Sequence, residues 1–164
     1  MGWRDIHLNE TGIAQAYTVQ QYVKELGIQT ICTSPLQRAR QTADILNDVL
    51  QVPLVELSNL KEVDWGNYEG QIKMKADNHT LEEYKQGMHP HNAEPYATFV
   101  KRSLHGLKEA LINPGPVLIV SHGGVFWALA TFFNWPAERL ISNCELIQIF
   151  FPRVHGEWII RKVV

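Results

Sequence analysis

Between positions 117 and 126 the chain reads Val-Leu-Ile-Val-Ser-His-Gly-Gly-Val-Phe. Four consecutive apolar residues without polar alternation make both faces apolar, as in an interior strand of a parallel sheet. Parallel strands need long crossovers, usually helical, so this run points to an α/β fold with helices on both faces of the sheet. Ser121 and His122 then fall at the carboxyl end of the strand, the edge where open α/β sheets bind ligands. Gly123 and Gly124 follow, and glycines let the backbone turn and approach an anion closely.

The flanking sequence alternates helices and strands. Ile13, Ala16, Val19, Val23 and Leu26 recur at helical spacing over about 9–26, with Gly27 placed as a C-terminal cap. Residues 30–33 read as a strand, and Ser34-Pro35 as the cap and first residue of a helix to about Leu50, burying Leu36, Ala39, Ala43, Leu46 and Val49. A strand over 52–57 precedes an irregular stretch, 58–76, that looks like a functional loop. A weak helix over 81–86, a stronger one over 95–111, a short apolar helix over 124–133 and strands over 144–151 and 157–163 complete the chain. The last pair is expected to add an antiparallel edge. The predicted architecture is a single domain, 1–164, built as a three-layer αβα sandwich around a mostly parallel sheet.

Charge and cysteine content narrow the function. Lys plus Arg number 15 against 17 Asp plus Glu, so no global charge favours nucleic acid or an anionic membrane, and any anion site is local. Cys32 and Cys144 are too few for a disulfide framework, which fits a reducing cytoplasm. The amino-terminal stretch has no apolar signal core and no apolar run is bilayer-length.

Three segments put reactive side chains at strand tips or in the long loop: Thr33 to Arg38, Leu60 to Gly70, and Ser121 to Gly124. Arg38 falls in the first turn of a helix, where a guanidinium and the positive helix end suit a phosphate; it reads equally as a surface arginine. His122 could face an anion or simply bond a carbonyl. Glu62 could serve as a general acid if its loop shields it, or be a solvated carboxylate. His7 reads as a surface residue, Cys32 as an inert buried thiol, and His89-Pro90-His91 as a pair without the neighbours a metal needs.

Together the segments resemble the histidine phosphatase superfamily, the phosphoglycerate-mutase-like proteins. The resemblance rests on Ser34-Pro35, Arg38-Ala39 and Thr42-Ala43, on Leu60, Glu62, Gly66 and Glu69-Gly70, on Val120 to Gly123, and on Gly2-Trp3-Arg4-Asp5 through Leu8, Gly12 and Gln15-Ala16. It implies that Arg38, His122 and Gly123 hold the phosphoryl oxygens and that Glu62 protonates the departing alkoxide. The 71–93 region would be the lid that chooses the substrate. Glu94, counted with that lid, resembles a family glutamate near the pocket, although the usual Gly-Glu-Ser is here Ala93-Glu94-Pro95. No metal or organic cofactor is called for.

The family's nucleophile is a second histidine, in an Arg-His-Gly motif on a first strand upstream of the Gly-Trp segment, and that strand is missing from this sequence. It would lie beside the 117–120 strand, so the resemblance implies a gap in the sheet, closed by rearrangement or by strand pairing with a second copy, or else left open in a chain of marginal solubility. Two readings follow. One is a phosphatase-type family member hydrolysing small phosphomonoesters through a phosphohistidine in its full-length form and inactive as the 164-residue chain. The other is a non-catalytic protein that binds a phosphorylated ligand or partner through the same residues. Neither identifies the leaving alcohol.

Overall fold

A computed structural model describes residues 1–70, 84, 86–87, 92–135, 141–150 and 159–163. In chain order its elements are α1 (Glu10–Val23), β1 (Thr30–Thr33), α2 (Gln37–Leu50), β2 (Leu54–Glu56), α3 (Tyr96–Leu111), β3 (Val117–Val120), α4 (Gly123–Phe132), β4 (Ile147–Phe150) and β5 (Ile159–Lys162). Short 3-10 turns cover Ser58–Leu60 and Gly66–Tyr68. Of the expected 81–86 helix and the 71–93 lid, only Tyr84, Gln86, Gly87, Asn92 and Ala93 fall within the described residues, and His79, His89, His91 and His155 lie outside them.

Helix α1 starts where Asn9 accepts a hydrogen bond from Gly12 N. It gives way to a 3-10 turn, Lys24–Leu26, and stops at Gly27, whose φ of 61° is in the left-handed region that glycine reaches without strain. Ala16, Val19 and Val23 are buried. Ile13 is not part of that stripe: it lies about a quarter turn around the helix from its centre and is 37% exposed.

The opening of α2 differs from the sequence expectation. Ser34 and Pro35 do not cap it; the helix begins at Gln37, and the acceptor for Gln37 N is Asp5 Oδ1, 2.7 Å away in the amino-terminal segment. Ser34 Oγ instead accepts from Leu36 N at 3.3 Å. The buried face is as expected at Leu36, Ala39, Ala43 and Leu46, with Val49 half-buried.

The parallel sheet has the order β2-β1-β3, with Ile31 opposite Leu54 and Leu118, and Thr33 opposite Glu56 and Val120. Alternation along the strands sorts their side chains into two layers. Ile31, Leu118 and Val120 pack with Val19, Val23, Ala39, Ala43 and Leu46 from α1 and α2. Cys32, Val117 and Ile119 pack on the other face with Phe99 and Leu107 from α3 and Val125, Ala128 and Leu129 from α4. This is the α/β architecture with helices on both faces.

The last two strands depart from expectation. β4 and β5 pair antiparallel, but as a separate two-stranded ribbon and not as an edge of the parallel sheet. Leu146, Cys144 and Val163 share a core with Leu118 and Val120, and Ile149 shares the opposite core with Val117 and Ile119. The ribbon therefore continues the sheet layer, yet among the described residues β3 has a strand partner only on its β1 side. No helix among the described residues is long and apolar enough to cross a membrane.

Ile31 is fully buried on the central strand. Truncation to alanine leaves a cavity that close-packed neighbours fill only in part, so I31A is expected to lower unfolding free energy by about 2–5 kcal/mol, measured by urea denaturation.

Candidate functional site

Because Thr33 and Val120 are opposite each other in parallel strands, the residues that follow them leave the sheet at the same edge. Ser34 is fully buried there, and its Oγ lies 2.8 Å from His122 Nε2. His122 precedes the first residue of α4 and keeps an extended backbone. Burial, followed by the charges of Arg38 and Arg102, pushes its pKa down to about 3. The imidazole is therefore neutral at ordinary pH.

Glu62 reaches the same helix end from the loop after β2. Its Oε1 accepts from Val63 N at 3.0 Å and its Oε2 from Gly124 N at 3.2 Å, a favourable place for a carboxylate because helix N-termini carry partial positive charge. Burial nonetheless raises its pKa, outweighing those two N–H groups and the charge of Arg38. A proton is held more tightly here than on an exposed glutamate, as a general acid requires.

The two glycines after His122 have different roles. Neither has positive φ, so a turn conformation does not explain them. A Cβ on Gly124 would fall on Glu62 Oε1, so that glycine makes room for the carboxyl. Gly123 is exposed, and a Cβ there would meet nothing within 4 Å.

Arg38, in the first turn of α2, has its guanidinium oriented by backbone carbonyls: Nη2 donates to Gly2 O at 2.8 Å and Nη1 to Arg4 O at 3.1 Å. Its charge acts on both Glu62 and His122, which brings the guanidinium, the imidazole and the carboxyl within electrostatic reach of one another. Glu94 is engaged elsewhere: its carboxylate takes Arg102 Nε and Nη2, each at 2.7 Å. His7 and His105 bond to Gln41 and Asn59. Cys32 is buried, and burial raises its pKa. Among the described residues no group of three or more His, Cys, Asp or Glu could hold a metal ion.

Several contributors escaped the sequence reading. Ser34 looked like a cap and is the partner of His122. Glu69 was no more than a motif letter, yet its carboxylate accepts from the backbone N–H groups of Gly2 at 3.0 Å, Trp3 at 2.7 Å, Arg4 at 3.2 Å and Trp65 at 3.1 Å. It thereby fixes the segment whose carbonyls orient Arg38. Gly2 fits because it lacks a Cβ, which would fall on Glu69 Oε1 and Val63 O. The available signal was the pairing of a Gly-Trp start with a distant Glu-Gly, too long-range for spacing to reveal.

Comparison with known proteins gives concordant results. The family model described as histidine phosphatase superfamily (branch 1) matches residues 1–161. An uncharacterized phosphatase, PhoE, of Bacillus subtilis is 40% identical over 152 residues, covering 87% of this chain and 75% of that protein. A probable phosphoglycerate mutase, GpmB, of Yersinia pestis is 30% identical, covering 98% of this chain and 82% of that one. Among solved structures, Bacillus stearothermophilus YhfR superposes with a TM-score of 0.83 at 21% identity, covering 99% of this chain and 87% of its own. A mycobacterial glucosyl-3-phosphoglycerate phosphatase in complex with inorganic phosphate superposes with a TM-score of 0.80 at 23% identity, over 100% and 89%.

The Glu69 contacts have a pH signature. Burial acts to raise its pKa, but the N–H groups of Trp65, Gly2, Trp3 and Arg4 outweigh it and the net shift is downward. A depressed folded pKa stabilises the fold fully above the unfolded value of about 4.3 and is lost as pH falls through the lower folded value. The melting temperature of E69Q is therefore expected to lie below that of the unmodified protein at pH 7, with the difference shrinking in acid, read by thermal melts from pH 7 downward.

Proposed function

The chain belongs to the histidine phosphatase superfamily, branch 1, and from that membership we propose that the edge bearing Arg38, Glu62 and His122 is a phosphatase-type site for small phosphomonoesters. The observation that carries this reading is that a neutral, largely shielded imidazole and a proton-holding carboxyl meet at the N-terminus of α4, with the charge of the Arg38 guanidinium acting on both. Arg38, preset by Gly2 O and Arg4 O, supplies the fixed positive charge for the phosphoryl oxygens. His122, with Gly123 beside it, completes the grip and takes up a proton as the anion arrives. Glu62 is the acid: when the bond from phosphorus to the ester oxygen breaks, its proton goes to the departing alkoxide, which otherwise leaves poorly. A related phosphatase solved with inorganic phosphate supports a phosphate ligand.

Phosphoryl transfer also needs a nucleophile, which the resemblance assigns to a second histidine. The described histidines other than His122 are His7 and His105, and both are bonded away at Gln41 and Asn59. The second reading, a module that binds the phosphoryl group without turning it over, uses the same three residues, and turnover is what separates the two. Glu94, bonded to Arg102, has no place in the grip itself.

Calorimetric titration with inorganic phosphate tests the grip. R38Q removes a charge-assisted contact and is expected to weaken phosphate by about 10- to 100-fold, the equivalent of about 1.5–3 kcal/mol. Repeating the titration in buffers of different ionisation enthalpy should show net proton uptake that disappears in H122N. Undetectable phosphate binding overturns the proposed grip. Hydrolysis of a phosphomonoester with formation of phosphohistidine overturns the binding-only reading and supports the enzyme.

A further inference from the structure

The loop that carries Glu62 has an unusual way of satisfying its backbone. From Asn59 to Glu62 the carbonyls have no sheet or helix partner, and side chains supply the donors. Arg102, on α3, donates Nη1 to Lys61 O at 2.7 Å and to Asn59 O at 3.2 Å, and Nη2 to Glu62 O at 2.7 Å. Leu60 O takes the hydroxyl of Ser121 at 2.8 Å. Arg102 can span three carbonyls because its fork is held from behind by Glu94, through Nε and Nη2. The pair is largely shielded, with side-chain exposures of 14% and 10%.

The rest of that helix face serves the same end. Gly106, one turn beyond Arg102, lets α3 close on the loop: a Cβ there would lie 2.9 Å from Leu60 Cδ2 and 3.1 Å from the Asn59 carbonyl carbon. Glu109, another turn on, accepts from Asn59 Nδ2 at 2.9 Å. Positions 102, 106 and 109 share one face, so a single helix surface dictates the path of residues 59–62.

We propose that Arg102, oriented by Glu94, is the positioning residue for Glu62: it fixes the loop carbonyls so that the Glu62 carboxyl meets the N-terminus of α4. The proposal rests on the reading of Glu62 as the acid. Arg102 touches no reacting atom and acts through the loop. Lysine at this position keeps the charge but, as a point donor, cannot span three carbonyls and a carboxylate in one plane, so R102K separates geometry from charge.

The test is a carbon-13 NMR titration of the glutamate side-chain carboxyls in the full chain, with E62Q and E69Q assigning the two signals. The groups facing Glu62 electrostatically are Arg38 from α2 and the terminal amine, with the Tyr84 phenol as a further neighbour; none is altered by R102K. In R102K the Glu62 midpoint is expected to close at least half the gap to that of an exposed glutamate, while the Glu69 midpoint stays in place. E94Q should move Glu62 in the same direction by less. An unchanged Glu62 midpoint in R102K, or equal movement of Glu62 and Glu69 from general loosening, overturns the proposal. Inorganic phosphate binding by the unmodified protein, measured alongside, reports separately on the functional reading: its absence defeats that reading, while the titration still decides the role of Arg102.

Discussion

Where backbone carbonyls have no sheet or helix partner, each must find a donor individually or be left to water. The stretch from Asn59 to Glu62 does so beside a sheet edge, with α3 on one side and the tip of β3 on the other. Arg102, Ser121 and Trp3 provide the donors, Trp3 Nε1 reaching Glu62 O at 2.7 Å. The partners come from three separate regions of sequence, so the loop also stitches together the amino-terminal segment, α3 and the end of β3. Its conformation is a tertiary property, and the placement of the carboxyl it carries is one as well.

The titratable groups around that loop illustrate how little of a protonation state belongs to the residue type. Glu62 and Glu69 are seven positions apart and both accept backbone N–H groups. Glu62 is raised because burial outweighs its two donors, whereas Glu69, less shielded and with four donors, is lowered. His122 is driven toward the neutral form by burial and by two nearby arginines. One carboxyl is thus suited to holding a proton and the other to holding a chain, while the imidazole is kept neutral. Environments that push similar groups apart are what allow one site to divide such roles.

Much of this was legible in the sequence, for identifiable reasons. The apolar run at 117–120 located a strand of the parallel sheet with apolar packing on both faces, because apolar content is a local property; that β3 ends the order β2-β1-β3 and is not interior to it among the described residues depends on pairing. The stripe of α2 was equally readable from its spacing. Exchanges of partner between distant segments were not. Asp5, not Ser34, takes the first N–H of α2; Ser34 pairs with His122; and Arg102 donates to the carbonyls of a loop distant in sequence. The break between β3 and the β4–β5 ribbon likewise depends on strand pairing, which no local period encodes.

The contact between Glu62 and Gly124 carries an evolutionary corollary. With no space for a methyl group between that α-carbon and the carboxylate, the identities at the two positions are mutually dependent. A side chain gained at 124 must either displace the Glu62 carboxyl from the helix end or be matched by a shorter acid at 62, and a shorter acid alone would leave a void there. Changes at the two positions are therefore expected to be correlated among related sequences, a coupling that arises from steric exclusion alone.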